Sequence, residues 1–85
     1  MFEIEYSNQS LSFLKKIDKQ LADRILEKIE KLRENPVIHD TKTIAGYKEK
    51  LFRVRVGKCR ILYEVDHKTK KIGIVNIDKR DRVYD

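Results

Sequence analysis

Three arginines in the middle of the chain have the type and spacing needed to hold a phosphate group. Arg53 and Arg55 are separated by one residue, and Arg60 follows soon after Gly57-Lys58. Apolar and polar residues alternate on both sides of that pair, which predicts two strands joined by a tight turn. In such a hairpin Arg55 faces Arg60. Because like charges directly opposite across strands are destabilising, we expect an anion to lie beside them.

Two further segments add groups of the same chemistry. If the C-terminal tail is extended, Arg80, Arg82 and Tyr84 share one face, because side chains alternate along a strand. The segment 37–50 is predicted to be a loop that turns at Gly46, and its charges include Lys48 and Lys50. Guanidinium groups match phosphate oxygens two at a time, so the arginines are the stronger candidates for binding a phosphate.

The composition favours an acidic partner for this small protein. The 85 residues predict one domain, and 20 Lys and Arg against 14 Asp and Glu give a net charge of +6. A basic domain of this size commonly binds nucleic acid, an acidic protein or a membrane surface. We expect no membrane span and no signal peptide, and the single Cys59 fits a reducing cytoplasm. His39 and His67 have no ligand types at metal spacing, so no metal or other cofactor is expected.

The N-terminal half is predicted to be a strand followed by two helices. Residues 2–6 alternate, and Ser7 can cap a helix with Leu11, Leu14 and Ile17 on its apolar face. Asp18 can cap a longer helix that ends at Asn35-Pro36, because the residue before proline disfavours helical torsions. The apolar stripe of this second helix consists of Leu21, Ile25, Ile29 and Leu32. The simplest arrangement is two antiparallel helices that meet near Asp18.

The C-terminal half is predicted to supply the rest of a sheet. After the hairpin, the run 71–77 is nearly all apolar, as in a strand central in a sheet. The element order β-α-α-β-β-β indicates an α+β fold, with the helices packed on a mainly antiparallel four-stranded sheet. The core face of the hairpin is expected to comprise Phe52, Val54, Val56, Cys59, Ile61 and Tyr63.

The hairpin and tail resemble the RelE/ParE superfamily of toxins from type II toxin–antitoxin systems. Residues 51–65 read LFRVRVGKCRILYEV, and residues 79–84 read KRDRVY. Asn35-Pro36 and Ile44-Ala45-Gly46 also stand where that family has its helix end and loop. Within the superfamily, the chain is most similar to RelE-like mRNA interferases. The resemblance implies a RelE-like, microbial ribonuclease-type fold and a toxin domain over residues 1–85.

The resemblance also implies a reaction and roles for particular residues. RelE-like enzymes bind mRNA on the ribosome, and the 2′-hydroxyl attacks the neighbouring phosphate without metal. The positions implied to be catalytic are Arg53, Arg55, Arg60, Arg80 and Tyr84. We also predict that Lys48, Lys50, Lys79 and Arg82 bind RNA. Tyr84 is the candidate base, although a tyrosine has a reference pKa of about 10, and nearby cations would favour its phenolate. Arg80 is expected first to stabilise charge, with Lys79 as a plausible substitute for the proton donor.

Two features depart from relatives in the superfamily. Arg53 and Arg55 stand where the best-known RelE toxin has lysines, and many relatives have histidine at the position of Lys79. Two other functions therefore stay open, a ParE-like DNA gyrase inhibitor and a non-catalytic module that binds RNA or the ribosome. The implied partners are a RelB-like antitoxin, the ribosome and mRNA, with a toxin–antitoxin hetero-oligomer as the assembly.

Overall fold

Two helices and five strands make up the described part of the chain, residues 1–44 and 51–79 of the computed structural model. In chain order they are β1 (Glu3–Tyr6), α1 (Asn8–Lys16), α2 (Lys19–Glu34), β2 (Lys42–Ile44), β3 (Leu51–Val56), β4 (Cys59–Asp66) and β5 (Lys71–Lys79). The two helices pack on one mixed sheet, which confirms the predicted α+β fold. Within the described residues, neither helix is long and apolar enough to cross a membrane.

The sheet has the strand order β1-β5-β4-β3-β2. β1 runs parallel to β5, and the other three pairings are antiparallel. The prediction of four strands was wrong by one, because β2 lies inside the segment predicted to be a loop. With only three residues and no apolar alternation, β2 carries no periodic signal of its own. It forms because β3 offers it an edge.

Both predicted helix caps are confirmed. The Ser7 hydroxyl accepts a hydrogen bond from the Ser10 N–H (3.1 Å), and the Asp18 carboxylate accepts one from the Leu21 N–H (2.8 Å). Such caps satisfy backbone N–H groups that have no partner within the first turn of a helix. α2 ends at Glu34, directly before the predicted stop at Asn35-Pro36. Two residues, Ile17 and Asp18, therefore separate the helices.

The apolar face of α1 was assigned wrongly at one position. Leu11, predicted to face the core, is 43% exposed, whereas Ser10 is fully buried. The start of the helix explains why a serine and not Leu11 is buried, because polar side chains at the N-cap and in the first turn form hydrogen bonds with the β5 backbone. The Gln9 amide donates to the Ile77 carbonyl (2.8 Å) and accepts from the Ile77 N–H (2.9 Å), and the Ser7 hydroxyl donates to the Val75 carbonyl (2.8 Å).

The core lies between the helices and one face of the sheet. The predicted stripe of α2 is confirmed at Ile25, Ile29 and Leu32, which are at most 1% exposed, while Leu21 is half-buried. The predicted core face of the hairpin is also confirmed, with Phe52 half-buried at its border. The core side chains of β3 and β4 are Val54, Val56, Cys59, Ile61 and Tyr63, all at most 7% exposed.

β5 carries an irregularity that changes which of its side chains share a face. Tyr63 lies opposite Ile74, but its neighbour Leu62 lies opposite Asn76, so Val75 is an additional residue in the β5 strand. Such a bulge shifts the alternation of every residue that follows it. After the bulge, each side chain of β5 therefore lies on the opposite face of the sheet from the one it would occupy in a regular strand.

Candidate functional site

The hairpin of β3 and β4 positions the candidate site. Gly57 and Lys58 form its two-residue turn, and Gly57 has a φ of +57°, a backbone conformation that glycine adopts without steric cost. Glycine at the first turn position is typical of the type II′ turn, whose twist matches that of the strands. The turn sets the predicted register, with Val56 opposite Cys59 and Arg55 opposite Arg60.

This register brings the three predicted arginines to the side of the sheet away from the helices. We call that side, with Arg53, Arg55 and Arg60, the arginine face. Arg55 is exposed, the Arg60 side chain is 20% exposed, and Arg53 is only 7% exposed. Arg53 lies between Lys42 of β2 and Leu62 of β4 in the register. A guanidinium stays charged even when buried. Arg53 is therefore a positive charge that is surrounded mainly by protein and has little contact with solvent.

An aspartate that the sequence did not reveal lies beside the facing arginines. Asp78 is opposite Arg60 in the register, with its Oδ2 3.9 Å from Nη2 of Arg60. At that distance the two groups attract electrostatically but form no good hydrogen bond. The carboxylate offsets part of the repulsion between Arg55 and Arg60. The bulge at Val75 explains the omission, because a regular strand would place Asp78 opposite Cys59 instead.

The same bulge places Lys79 on the helix side of the sheet. Lys79 lies opposite Cys59 in the register, and Cys59 is only 1% exposed. Burial raises the pKa of the Cys59 thiol, while the positive charges of Lys79 and Arg24 oppose that rise. The thiol is therefore held protonated. Lys79 is separated from the arginine face, and its RNA-binding role stays a prediction.

Five other predicted site residues lie outside the described residues. They are Lys48, Lys50, Arg80, Arg82 and Tyr84. The geometry of the described part therefore concerns binding and stabilising charge. Guanidinium donors held in place can stabilise negative charge that develops on a phosphate, because they need little rearrangement during the reaction. Proton transfer remains the predicted task of the C-terminal tail.

The segment between α2 and β2 is fixed to the sheet and so positions β2 beside Arg53. The Tyr63 hydroxyl donates to the Pro36 carbonyl (2.6 Å) and lies 3.0 Å from the Thr41 hydroxyl. Lys28 of α2 forms an ion pair with Asp40 (2.9 Å). Burial alone would raise the pKa of Asp40, but the hydrogen bond and charge of Lys28 hold it below its usual value.

Comparisons with known proteins match nearly the whole chain to ParE and RelE toxins. Residues 4–84 match the family model described as the ParE toxin of the type II toxin–antitoxin system parDE. The chain is 32% identical over 88 residues to a Methanocaldococcus jannaschii protein named "Putative toxin RelE4", covering 99% of this chain and 92% of the relative.

Solved structures show the same fold. A chain of the archaeal RelE–RelB complex from Pyrococcus horikoshii OT3 matches with a TM-score of 0.85 and 28% identity, over 96% of this chain and 98% of that chain. A chain of the intact Escherichia coli RelBE toxin–antitoxin complex matches with a TM-score of 0.82, over 96% of this chain and 100% of that chain. Its 15% identity supports a shared fold alone.

Proposed function

This chain belongs to the RelE/ParE superfamily of toxins from type II toxin–antitoxin systems, and we propose that it is a ribosome-dependent mRNA endonuclease. It acts in the cytoplasm as a single domain over residues 1–85 and stops translation by cutting mRNA. The observation that carries this proposal is the pair Arg55 and Arg60, held opposite each other by the register. Two facing guanidinium groups suit a phosphate with growing negative charge.

The proposed reaction needs no metal. A base removes the proton from the 2′-hydroxyl, whose oxygen attacks the neighbouring phosphorus. The bond from phosphorus to the 5′-oxygen then breaks, and that oxygen takes up a proton. The products are a 2′,3′-cyclic phosphate and a free 5′-hydroxyl. Arg53, Arg55 and Arg60 stabilise charge on the phosphate, while Tyr84 serves as base and Arg80 supports the leaving group.

The test is primer extension on an mRNA in a reconstituted translation reaction, with ribosomes present or omitted. We expect breaks within codons only when ribosomes are present. Arg60→Gln removes one guanidinium and should slow cleavage by on the order of a hundredfold. Lys68→Gln removes one positive charge from the exposed β4–β5 turn and should leave the rate unchanged. Intact mRNA with folded parent protein would refute the proposal.

Tyr84 is tested separately because binding and proton transfer depend on different groups. Tyr84→Phe should remove most cleavage while leaving ribosome binding nearly unchanged, since only the phenol oxygen is lost. Ribosome co-sedimentation measures binding, and primer extension measures cleavage. Cleavage by the Phe variant at nearly the parental rate would exclude Tyr84 as the base.

The family match itself favours a second candidate function. The family model over residues 4–84 is described as ParE, so inhibition of DNA gyrase is the alternative to mRNA cleavage. A gyrase inhibitor would use the same basic domain without needing Tyr84. A supercoiling assay distinguishes the two, because an mRNA endonuclease leaves gyrase activity unaffected. Ribosome binding with neither cleavage nor gyrase inhibition would indicate a non-catalytic module.

We also propose a RelB-like antitoxin as partner, in a toxin–antitoxin hetero-oligomer. The solved structures that this fold matches include RelE–RelB complexes, and the net charge of +6 suits an acidic antitoxin segment over the arginine face. Adding the antitoxin should raise the melting temperature and block cleavage, because it binds only the folded toxin. An antitoxin that binds while cleavage continues at full rate would exclude occlusion of that face.

A further inference from the structure

A small groove on the helix side of the hairpin contains a second set of cations. It has a volume of about 180 Å³ and lies between α2 and the end of β3. Its lining is almost wholly polar and consists of Arg24, Glu27, Lys28, Lys31, Arg55, Val56 and Gly57. We call it the α2 groove.

The sequence of α2 explains why these cations share one side. Arg24, Lys28 and Lys31 are spaced by four and three residues, which places them along one face of a helix. The stripe extends about 10 Å along the helix axis, at 1.5 Å per residue. Arg24 lies at the hairpin end, since a Cβ on Gly57 would be 3.6 Å from its Nη1.

The groove keeps a positive charge after its internal pairings are considered. Lys28 is paired with Asp40, and Glu27 is the one carboxylate among the lining residues. Even without Arg55, Arg24 and Lys31 outnumber that carboxylate among the described lining residues. Several guanidinium and ammonium groups around a polar cavity favour an anion with many acceptor oxygens, of which phosphate is the common biological example.

Arg55 connects this groove to the arginine face. The register directs the Arg55 side chain to the arginine face, and Arg55 is also one of the residues that line the α2 groove at the end of β3. An extended polyanion bound on that face can therefore continue past Arg55 to α2. A peptide helix fits less well, because it would need an apolar surface, and the groove offers almost none.

We propose that the α2 groove binds the phosphate backbone of single-stranded RNA, with Arg24 and Lys31 as its principal contacts. The groove extends the RNA path beyond the reacting phosphate. This inference relies on the proposed function only for the choice of RNA as ligand. Its test uses RNA that cannot be cleaved, so failure of the cleavage reaction and failure of this inference are distinguishable.

The experiment measures binding of a short, fully 2′-O-methylated oligoribonucleotide to the purified chain by fluorescence anisotropy over a range of salt concentrations. The groove variant is Arg24→Gln with Lys31→Gln. Its control, Lys15→Gln with Lys68→Gln, removes the same charge from exposed residues that do not line the groove. Circular dichroism of both variants establishes that they fold.

The expected result follows from counterion release. Each single-strand phosphate contact contributes about 0.7 to the slope of log affinity against log salt, so the groove variant should lose about 1.4 from that slope. Its affinity near 0.1 M salt should fall on the order of tenfold, with little change in the control. Equal weakening in both double variants would overturn the inference, as would a parent protein that does not bind the oligonucleotide.

A gain of affinity provides a test that loss of folding cannot imitate. Glu27→Gln removes the carboxylate that lines the groove and should strengthen RNA binding severalfold. Glu34→Gln, at the exposed end of α2 and outside the groove, removes the same charge and should have a smaller effect. Equal affinities for the two variants would contradict a binding site at the groove.

Discussion

The Tyr63 hydroxyl offers a sharp test of how the sheet holds the segment before β2. Tyr63 is fully buried, donates to the Pro36 carbonyl at 2.6 Å and contacts the Thr41 hydroxyl at 3.0 Å. Thr41 in turn accepts from the Ile38 N–H at 3.0 Å. Tyr63→Phe keeps the ring and its packing but leaves the Pro36 carbonyl without this donor.

The size of the effect follows from burial of the lost hydrogen bond. Leaving a buried acceptor unsatisfied costs about 1–3 kcal/mol. We take about 2 kcal/mol for Tyr63→Phe, since the 2.6 Å bond is short and the site is closed to water. For a domain of this size each kcal/mol lowers the melting temperature by about 4–8 °C, so we expect a fall of about 8–16 °C.

The pH dependence gives a second signature of the same group. Burial raises the pKa of Tyr63, with a smaller contribution from Asp40, while its Thr41 contact opposes the rise. The folded-state pKa therefore exceeds the unfolded value of about 10. The stability that the neutral phenol contributes is fully present below about pH 10 and is lost as pH rises through the folded pKa. The difference between parent and Tyr63→Phe should therefore shrink above about pH 10.

Thermal unfolding followed by circular dichroism, at neutral pH and again above pH 10, measures both effects. Tyr6→Phe is the matched control, because Tyr6 is half-buried and its hydroxyl makes no hydrogen bond to the described residues, 1–44 and 51–79. A Tyr63→Phe melting temperature equal to that of Tyr6→Phe would refute the role assigned to this hydroxyl.

Three further substitutions test separate parts of the fold. Asp40→Asn should cost about 0.2–1 kcal/mol at pH 7 in urea unfolding, because the ion pair with Lys28 is stabilising while Asp40 is charged. The pKa of Asp40 is lowered in the folded state, so this cost should persist down to the unfolded value of about 3.9 and decline as pH falls further, through the folded pKa. A cost that stays constant well below that lowered pKa would contradict this reasoning. Asp18→Ala should cost about 0.5–2 kcal/mol through loss of the α2 cap, whereas Asp18→Ser should retain most of the stability that the cap provides. Equal urea midpoints for the Ala and Ser variants would exclude a role for the cap. Gly57→Ala should cost about 1–2 kcal/mol because of its positive φ, and Gly57→Asn should cost less. Urea midpoints measure both costs, and equal costs for the two variants would indicate that side-chain contacts, and not the backbone conformation, determine them.

Local signals in the sequence predict much of this fold. Ser7 and Asp18 cap the helices as predicted, because capping depends on a side chain and N–H groups two or three residues away. The hairpin register follows from Gly57-Lys58 and strict alternation, so the facing of Arg55 and Arg60 was predictable too.

The features missed from sequence depend on distant partners. β2 forms through pairing with β3, and Leu11 is exposed because Gln9 and Ser10 of α1 face β5 instead. The bulge at Val75 has no local signature, yet it places Asp78 beside Arg60 and moves Lys79 to the other side of the sheet. Strand alternation alone therefore identified the arginines but not their acidic neighbour.

The Gln9 side chain limits where the sheet can accept another strand. β1 pairs with β5 only as far as Ile74, so the later residues of β5 have a backbone edge that β1 does not cover. The Gln9 carboxamide bonds to both the N–H and the carbonyl of Ile77, as a neighbouring strand would. An exposed strand edge is a template for pairing with another chain, and here one side chain occupies it. Addition of a strand at this end of β5 would therefore first have to displace the Gln9 carboxamide from Ile77.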